Sequence, residues 1–584
     1  MYRYTDFDRR FIQARAAQFR NQLERHLAGT LGEDEFRPLR LQNGWYVQRH
    51  APMLRVAVPY GAISSAQLRQ LARIAEQFDR GFGHFTTRQN LQFNWIPLAR
   101  AADVMDLLAA VDLHGIQTSG NCIRNITSDA RAGVAHDEVV DPRPYCEILR
   151  QWSTLHPEFA FLPRKFKIAV SGAREDRAAL AWHDIGLELR RNEQGEVGFR
   201  VLVGGGMGRT PIIASEINAF VPWQQILVYL EAVVRVYNRF GRRDNAYKAR
   251  IKILVKAEGQ AFFDAVNAEF AAILQQDVDG QAQLIPQAEF DRVAASFTRP
   301  EGVQPRPELE HTGLAPSAGS PSLATGAAPD AHERAYARWL QRNVHPHQLP
   351  GWRSVTLSVK RAGQAPGDVT AAQMRSAAEM AERYSCSELR VTHDQNLLLP
   401  WVRVDELPAV YEAAKAAGYA TPNIGLVTDM IACPGGDFCA LANARSIPIA
   451  AELTERLDDL DEVFDLGDID LHISGCINSC GHHHSGHIGI LGVDKDGAEW
   501  YQITLGGSDG SELAPTPVPG KVIGPSFAAD EVVDAIEALL HTYRDQRVYP
   551  ERLIDTVHRL GLEPFKAAAN AVRRSTARSL EATT

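Results

Sequence analysis

The chain lacks the features that mark several classes of protein. No apolar run approaches the roughly 20 residues that a membrane span needs. Residues 1–20 are rich in Arg and Asp and contain no apolar stretch of the kind that a secretory signal requires. Basic residues are not in excess either, because the net charge is −9, which argues against a general nucleic-acid binder. We therefore expect a reducing, cytoplasmic setting, with neither membrane nor nucleic acid as a partner.

The composition is otherwise that of an ordinary globular protein. Hydrophobic residues make up 45% of the chain and charged residues 23%. A chain of 584 residues has ample material for more than one hydrophobic core. The sequence therefore predicts more than one domain.

Cysteine is scarce, and four of the seven cysteines are concentrated in two short clusters. Cys433 and Cys439 enclose five residues, and Cys476 and Cys480 enclose three. Thiolates bunched in this way are typical ligands of a soft metal. Structural zinc sites favour two to four residues between paired cysteines, so the longer gap favours an iron–sulfur cluster, with zinc as the alternative. Disulfides are disfavoured in a reducing setting, and Cys122, Cys146 and Cys386 are expected to be buried free thiols.

The sequence contains an internal repeat. Residues 64–78 and 370–384 are both predicted to be helical, and six of their residues match without a gap. The same register continues from Arg88-Gln-Asn-Leu to Asp394-Gln-Asn-Leu. Further matches join residues 170–172 to 473–475 and residues 199–206 to 501–508. Matches in constant order predict a duplicated α+β chain with pseudo-two-fold symmetry, mixed or antiparallel sheets and flanking helices.

A change in composition separates the two halves. Residues 302–331 are rich in Pro, Gly, Ser and Ala and have no period, which predicts a linker. The first half is accordingly predicted to span residues 1–301 and the second half residues 332–584.

Two segments of the first half are rich in hydrogen-bond donors. Residues 84–95 have the period of a strand, and one of its faces would carry only donors and no acid. Such a face suits a polyanionic ligand, although a solvated face is the alternative. In residues 162–168, Lys165 and Lys167 would point the same way on a strand, which costs energy unless an anion lies between them. The repeat places this segment opposite the cysteine segment of the second half.

Two glycine- or histidine-rich loops have simpler interpretations. Gly204-Gly-Gly-Met-Gly208 follows a predicted strand, but no acidic residue stands where a dinucleotide site would need one. The three histidines 482–484 cannot all face one metal on a regular element and are interpreted as loop residues. No flavin or nicotinamide motif is found.

Taken together, these motifs resemble the siroheme-dependent sulfite and nitrite reductases, over nearly the whole chain. The resemblance implies that cofactors lie at the interface between the halves: a 4Fe–4S cluster and a siroheme whose iron shares Cys480 with the cluster. It implies a ferredoxin-like part and an anion-binding part in the first half, with the cluster cysteines in the second. His84 departs from the pattern, because arginine is common at that position. The implied cluster ligands are Cys433, Cys439, Cys476 and Cys480.

The resemblance also implies roles for other residues, assigned position by position. The substrate-side cations are Arg55, Arg124, Lys165 and Lys167. The siroheme contacts are Thr86, Arg88, Gln92, Arg164, Lys252, Asn478 and Cys480.

The implied reaction is the six-electron reduction of sulfite to sulfide, with nitrite reduction to ammonia as the alternative. Two lysines favour the more highly charged anion, and nitrite-specialised relatives tend to have Asn in place of Lys167, so we expect sulfite. Electrons would come from a separate ferredoxin or flavoprotein. A colourless zinc-stabilised anion-binding protein is the remote alternative.

Overall fold

The computed structural model describes residues 1–48, 50, 52–276, 284–307 and 330–574. They form two compact units. The larger unit consists of the described residues within Met1–Gly206, Ile212–Val359 and Gly367–Pro422, and the smaller unit of Met207–Pro211, Lys360–Pro366 and the chain from Asn423 onwards. The division of the sequence into 1–301 and 332–584 concerns the duplication and stays a prediction, and residues 308–329 of the predicted linker lie outside the described residues.

The larger unit contains most of the secondary structure. Its first part comprises α1 (Asp6–Leu27), α2 (Glu33–Gln42), β1 (Trp45–Val47), β2 (Pro52–Val56), β3 (Ala62–Ser64), α3 (Ser65–Phe78), β4 (Phe82–Phe85), β5 (Leu91–Phe93) and α4 (Ala101–Ala109). The next part comprises β6 (Thr127–Ser128), α5 (Arg143–Ser153), β7 (Ile168–Ser171), β8 (Ile185–Arg191), β9 (Val197–Val203), β10 (Ser215–Pro222), α6 (Ile226–Phe240), α7 (Ile251–Glu258), α8 (Gln260–Gln276) and α9 (Gln287–Ala294). The last part comprises α10 (Ala331–Asn343), β11 (Val344–Pro346), β12 (Trp352–Leu357), β13 (Asp368–Thr370), α11 (Ala371–Tyr384), β14 (Glu388–Val391), β15 (Leu397–Arg403) and α12 (Leu407–Ala417).

The smaller unit is built around one sheet. Its elements are β16 (Ile431–Ala432), α13 (Ile447–Arg456), α14 (Leu460–Leu466), β17 (Leu471–Ser474), β18 (Ile488–Lys495), β19 (Ala498–Leu505), β20 (Lys521–Val522), β21 (Phe527–Ala528), α15 (Val532–Gln546), α16 (Leu553–Leu560) and α17 (Glu563–Ala571). Among the described helices, none combines the length and the apolar character that crossing a membrane requires.

Both copies of the predicted repeat helix begin in the same way. The Ser64 hydroxyl accepts from the Gln67 backbone N–H at 3.1 Å, and the Gln67 side chain accepts from the Ser64 N–H at 3.0 Å. Thr370 and Gln373 form the same reciprocal cap at 3.2 Å and 3.0 Å. These capping boxes satisfy N–H groups that the first helical turn would leave unpaired, so both helices begin where the sequence predicts.

The two ferredoxin-like halves exchange their edge strands. One sheet has the order β1-β2-β5-β4-β13 and the other the order β11-β12-β15-β14-β3, so each half receives one strand from the other. Helices α3 and α11 pack against each other. The exchange places both halves in one hydrophobic core, which extends from Ile12 to Tyr419.

Side chains repeat the same symmetry across the exchanged strands. Gln89 donates to the carbonyl oxygen of Val391 at 3.0 Å, and its repeat counterpart Gln395 donates to the carbonyl oxygen of Phe85 at 2.9 Å. These buried amides satisfy backbone carbonyls that would otherwise be unpaired. On the surface, Arg69 pairs with Glu382, and the counterpart Arg375 pairs with Glu76.

The remaining two sheets confirm the second part of the repeat. In the order β6-β7-β8-β9, the first two pairings are parallel and the third is antiparallel. The order β16-β17-β18-β19 has the same sequence of directions in the smaller unit. The match of residues 170–172 with 473–475 therefore joins equivalent strand ends, β7 and β17.

The prediction of a single strand over residues 84–95 is wrong. The chain turns back after β4, with a hydrogen bond from the Thr86 N–H to the Asn90 carbonyl at 2.9 Å. The Thr86 hydroxyl accepts from the N–H groups of Arg88 and Asn90, both at 3.3 Å, and Gln89 has φ 56°. A threonine side chain that bonds to the following backbone stabilises a turn in competition with an extended strand. The donor-rich residues are therefore spread over a hairpin.

Two smaller predictions also need correction. Lys165 and Lys167 lie in the segment before β7, where only Phe166 forms an isolated bridge, to Ile123. Of the three cysteines expected to be buried, Cys146 is buried, Cys122 is half-buried and Cys386 is exposed. Cys386 is exposed because it lies in the turn between α11 and β14, with φ 53°.

Candidate active site

Four predicted cations lie in one region of the larger unit. Arg55 of β2 and Arg124 before β6 both donate to the carbonyl oxygen of Thr118, at 3.3 Å and 2.7 Å. Arg124 donates further to the Gly120 carbonyl at 2.8 Å, and Arg55 donates to the Gln92 side chain at 3.0 Å. The arginine side chains are therefore held in defined positions by neutral acceptors, which leaves their positive charge uncompensated by these bonds.

The lysines belong to the same group of charges. Burial, and then the charges of Lys165, Arg88 and Arg250, hold the pKa of Lys167 well below its usual range, although Asp184 acts in the opposite direction. A lysine pKa lowered by burial and by neighbouring cations means that the protonated side chain is destabilised here. An anion bound here would reduce that cost, so the arrangement of charges is compatible with a negatively charged ligand.

Tyr46 of β1 is a member of this group that the sequence did not reveal. Its hydroxyl donates to the Thr118 carbonyl at 3.1 Å, and the Arg55 guanidinium lies 5.4 Å from its ring centroid. Burial acts to raise the pKa of Tyr46, but the charges of Arg124 and Arg55, a hydrogen bond with Ser119 and the charge of Lys165 together lower it to about 8. A tyrosine in a β-strand is ordinarily a packing residue, so only the three-dimensional arrangement identifies it.

Arg250 also escaped notice in the sequence. It forms an ion pair with the buried Asp184 at 2.7 Å, and Asp184 accepts from the Lys167 backbone N–H at 2.8 Å. Burial, and then the charge of Arg250, lower the pKa of Lys252 to about 8, with Lys165 acting in the same direction. Lys252 donates to the Gly206 carbonyl at 3.2 Å. Its role as a siroheme contact stays a prediction.

The other predicted siroheme contacts of the larger unit are placed as follows. Arg88 donates to the Thr127 hydroxyl at 2.8 Å and to the Asn125 carbonyl at 2.7 Å, and burial lowers its pKa to about 9. Thr86 lies in the hairpin turn, Gln92 is buried beside Arg55, and Arg164 is half-buried. His84, the departure from the family pattern, is bound to Asp368 at 2.8 Å.

The four clustered cysteines all belong to the smaller unit, where Cys480 influences the ionisation of Cys433 and Cys476, and Cys439 that of Cys476. Cys433 follows β16, and its Sγ accepts from the Gly475 N–H at 3.2 Å. Burial, and then the neighbouring Cys480, raise the pKa of Cys433 to about 12. Burial also raises the pKa of Cys476, with Cys480 and Cys439 adding to the effect. Buried thiols that oppose each other's ionisation become thiolates together most readily when a metal supplies positive charge.

Glycines allow the two cysteine segments to approach each other. A Cβ on Gly475 would lie 2.7 Å from the Gly435 Cα, and a Cβ on Gly481 would lie 1.9 Å from the Ile473 carbonyl oxygen. Asn478, a predicted siroheme contact, lowers the pKa of Cys476 through backbone and side-chain hydrogen bonds, against the larger effect of burial. Such donors stabilise a thiolate, as the ligand of a metal requires.

Four cysteines in one unit suit a cluster that is held by four thiolates. Within the described ranges, no three His, Cys, Asp or Glu side chains are arranged to hold one ion. A 4Fe–4S cube requires only that four cysteines reach its corners. The residues present therefore fit the cluster.

The loop histidines have other surroundings. The Nε2 of His484 lies 2.9 Å from the Gly208 carbonyl oxygen, and His483 is fully buried.

Comparison with known proteins agrees with the site chemistry. Residues 119–272 and 426–575 match the nitrite and sulphite reductase 4Fe-4S domain, and residues 46–111 and 354–417 match the nitrite/sulfite reductase ferredoxin-like half domain. Each match occurs twice, as the duplication requires. The chain belongs to the nitrite and sulphite reductase family, an oxidoreductase family whose members carry siroheme and a 4Fe–4S cluster.

Individual relatives include both kinds of reductase. The chain is 28% identical to sulfite reductase [ferredoxin] 2 of Mycolicibacterium paratuberculosis, over 86% of this chain and 80% of the relative. It is 28% identical to the assimilatory ferredoxin-dependent nitrite reductase of Haloferax mediterranei, over 85% of this chain and 80% of the relative. The solved structure of the Mycobacterium tuberculosis NirA protein has a TM-score of 0.74 and 24% identity over 94% of each chain, which shows the shared fold.

Proposed function

We propose that this protein reduces sulfite to sulfide in a six-electron reaction. The observation that carries the proposal is the grouping of Arg55, Arg124, Lys165 and Lys167, whose shared charge favours an oxyanion. When bound, the cluster would relay electrons from the external donor, and the siroheme would supply the iron at which the anion is reduced. The clustered cysteines need a reducing compartment to stay available as ligands, which supports a cytoplasmic location.

The cysteines and the donor residues account for the cofactors. We assign the cluster to Cys433, Cys439, Cys476 and Cys480, with Cys480 also ligating the siroheme iron. Siroheme carries many carboxylates, and the polar residues assigned to them are all donors. These are Thr86, Arg88, Gln92, Arg164, Lys252 and Asn478.

The cations have two tasks in this reaction. Arg55 and Arg124 hold the oxyanion through N–H groups and stabilise the charge that develops on a departing oxygen. Each cleavage of an S–O bond consumes protons, and a lysine with a lowered pKa releases its proton readily. Lys167 is therefore assigned as a proton donor, with Lys165 beside it, and the bound anion favours the protonated form of Lys167.

The cofactor assignment can be tested separately from turnover. In the purified Cys476→Ser protein, iron and acid-labile sulfide should fall to a small fraction of the wild-type content, because one corner of the cube loses its ligand. Cys386→Ser is the matched control, since Cys386 is exposed and lies in the other compact unit. Equal contents in the two variants would refute the ligand assignment.

Nitrite is the second candidate substrate, because relatives named as nitrite reductases match the chain as well as the sulfite reductases do. The two lysines favour sulfite, which carries more charge at neutral to alkaline pH. Parallel anaerobic assays should give a higher kcat/KM for sulfite with sulfide as product. A higher kcat/KM for nitrite would overturn the sulfite assignment.

The electron donor is assigned as a ferredoxin. This rests on the names of the relatives, several of which are described as ferredoxin-dependent. A flavoprotein is the alternative. Comparing turnover with reduced ferredoxin and with a reduced flavoprotein at equal concentration separates the two donors.

A further inference from the structure

One surface of the larger unit combines exposed aromatic rings with arginines. Phe161 is 69% exposed, Phe240 56% and Tyr247 79%. Large apolar side chains are seldom this exposed in a group, and a patch of them with a polar rim is typical of an interaction surface. Together with Arg239, Arg242 and Arg243 they form what is here named the aromatic–arginine patch.

Several members of the patch are joined by contacts. Arg243 donates to the Phe161 carbonyl at 3.4 Å and to the Asn238 side chain at 2.6 Å. The Arg239 guanidinium lies 5.9 Å from the Phe240 ring centroid. The Arg243 contacts thereby connect the end of α6 with the loop that follows residues 157–159.

The charge of this surface contrasts with that of the chain. The exposed residues between 239 and 248 include four Arg or Lys and one Asp, whereas the whole chain has a net charge of −9. Arg242 pairs with Asp244, and Arg239 approaches Glu269 at 3.6 Å. Exposed ion pairs of this kind are weak, so these arginines can exchange partners with little cost. A local positive patch on an acidic protein attracts and orients an acidic partner.

The patch is also connected to the substrate cations. Phe161 precedes Lys165 by four residues, and Tyr247 precedes Arg250 by three. The Tyr237 hydroxyl of α6 donates to the Ala249 carbonyl at 2.8 Å and to the Arg164 carbonyl at 3.5 Å. Both segments that carry the exposed rings therefore continue into the cation group.

We propose that the aromatic–arginine patch is the docking surface for an acidic electron-carrier protein of the ferredoxin type. The exposed rings would supply the buried centre of the interface, and the arginines would steer the carrier and fix its orientation. This inference rests on the proposed function, because it presupposes that electrons arrive from a separate protein.

The test compares two electron donors with the intact holoenzyme. In the double variant Arg239→Glu/Arg242→Glu, the KM for a reduced acidic ferredoxin should rise about tenfold or more at low ionic strength. Turnover with reduced methyl viologen should remain within about twofold of wild type, because this small donor needs no docking surface. Phe240→Ser should also raise the KM for ferredoxin.

The matched control is Arg25→Glu/Arg37→Glu, which makes the same change in net charge at exposed positions of α1 and α2. Its KM for ferredoxin should change by less than about twofold, because salt screens the effect of exposed charges that lie outside the docking surface. Equal effects in the two double variants, or an unchanged KM in the first, would overturn the proposed docking surface.

Direct binding separates this proposal from the proposed function. Calorimetric titration of oxidised ferredoxin should give binding to the wild type that weakens with added salt and about tenfold weaker binding to Arg239→Glu/Arg242→Glu. Wild-type protein that reduces sulfite with methyl viologen but does not bind ferredoxin would refute the docking surface alone. Absence of sulfite reduction with either donor would refute the proposed function. The binding experiment would still show in that case whether the patch binds ferredoxin.

Discussion

Arg55 and Arg124 donate to the same carbonyl oxygen of Thr118. One neutral acceptor thus holds two like-charged side chains together, although their mutual repulsion opposes this arrangement. Within the described part of the chain, the buried Nε of Arg55 has no hydrogen-bond partner. A buried donor without a partner is costly, and an oxyanion would supply the missing acceptor. The proposed oxyanion would therefore relieve two unfavourable features of this pair, the repulsion and the unpaired Nε.

Replacing Arg124 by lysine tests this arrangement. Lysine keeps the charge but loses the planar fork that bonds to both Thr118 and Gly120. We expect the KM for sulfite to rise about tenfold, which corresponds to about 1.4 kcal/mol. Steady-state kinetics with saturating reduced methyl viologen measure this KM. An unchanged KM would show that a positive charge at position 124 is enough and that the guanidinium geometry is not needed.

Tyr46 predicts a pH dependence. Below a pKa of about 8 the hydroxyl is neutral, and above it the phenolate cancels part of the positive charge of Arg124 and Arg55. The KM for sulfite should therefore rise as the pH increases from 7 to 9 in the wild type.

In Tyr46→Phe this additional rise should disappear. Ionisation of sulfite affects both proteins equally, so the ratio of the two KM values isolates the tyrosine. A constant ratio across this pH range would contradict the assignment.

Lys167 tests the choice between the two anions. Lys167→Asn removes one of the two lysine charges, which matters more for the more highly charged substrate. We expect kcat/KM to fall further for sulfite than for nitrite, by about tenfold in the ratio. Proportional losses on both substrates would remove the basis for preferring sulfite.

The exchanged strands predict an effect on stability. Gly61 has φ 77°, and a Cβ there would lie 2.6 Å from the Val391 carbonyl oxygen. Gly61→Ala should lower the free energy of unfolding by about 3 kcal/mol, from backbone strain and steric overlap together. The counterpart Gly367→Ala, with 2.8 Å to the Phe85 carbonyl oxygen, should behave alike.

Gly81 provides the control for backbone strain alone. It has φ 85° with nothing within 4 Å of the added Cβ, so Gly81→Ala should cost only about 1 kcal/mol. Denaturant titrations measure all three variants. Equal losses at Gly61 and Gly81 would show that the contact between the halves contributes nothing.

Much of this organisation could be predicted from the sequence, because gene duplication leaves residues at a constant spacing. The helices at 64–78 and 370–384 keep their register, and the cysteine spacing indicates a cluster. The exchange of β3 and β13 could not be predicted, because each strand has only three residues and its pairing depends on tertiary contacts. The prediction of one strand at 84–95 was wrong for a related reason. Alternating residues fit a hairpin as well as a single strand, and the hydrogen bonds of the Thr86 hydroxyl favour the turn.

The candidate site was predictable where a residue type is unusual for its position. Paired lysines and clustered cysteines stand out in any sequence. Tyr46 and Arg250 do not, because their importance comes from neighbours that are distant in the chain, namely Arg124 and Asp184. Cys386 shows the reverse, since a thiol expected in the interior lies in an exposed turn.

The most direct test measures sulfide formation from sulfite with reduced ferredoxin under anaerobic conditions. Both the yield of sulfide per electron and the rate are recorded, for wild-type holoenzyme and for Lys165→Gln/Lys167→Gln. The account predicts one sulfide for every six electrons in the wild type and at least a hundredfold lower rate in the variant, with an unchanged cofactor content. Sulfide production at wild-type rate by the variant, or none from wild-type protein that contains both cofactors, would contradict it.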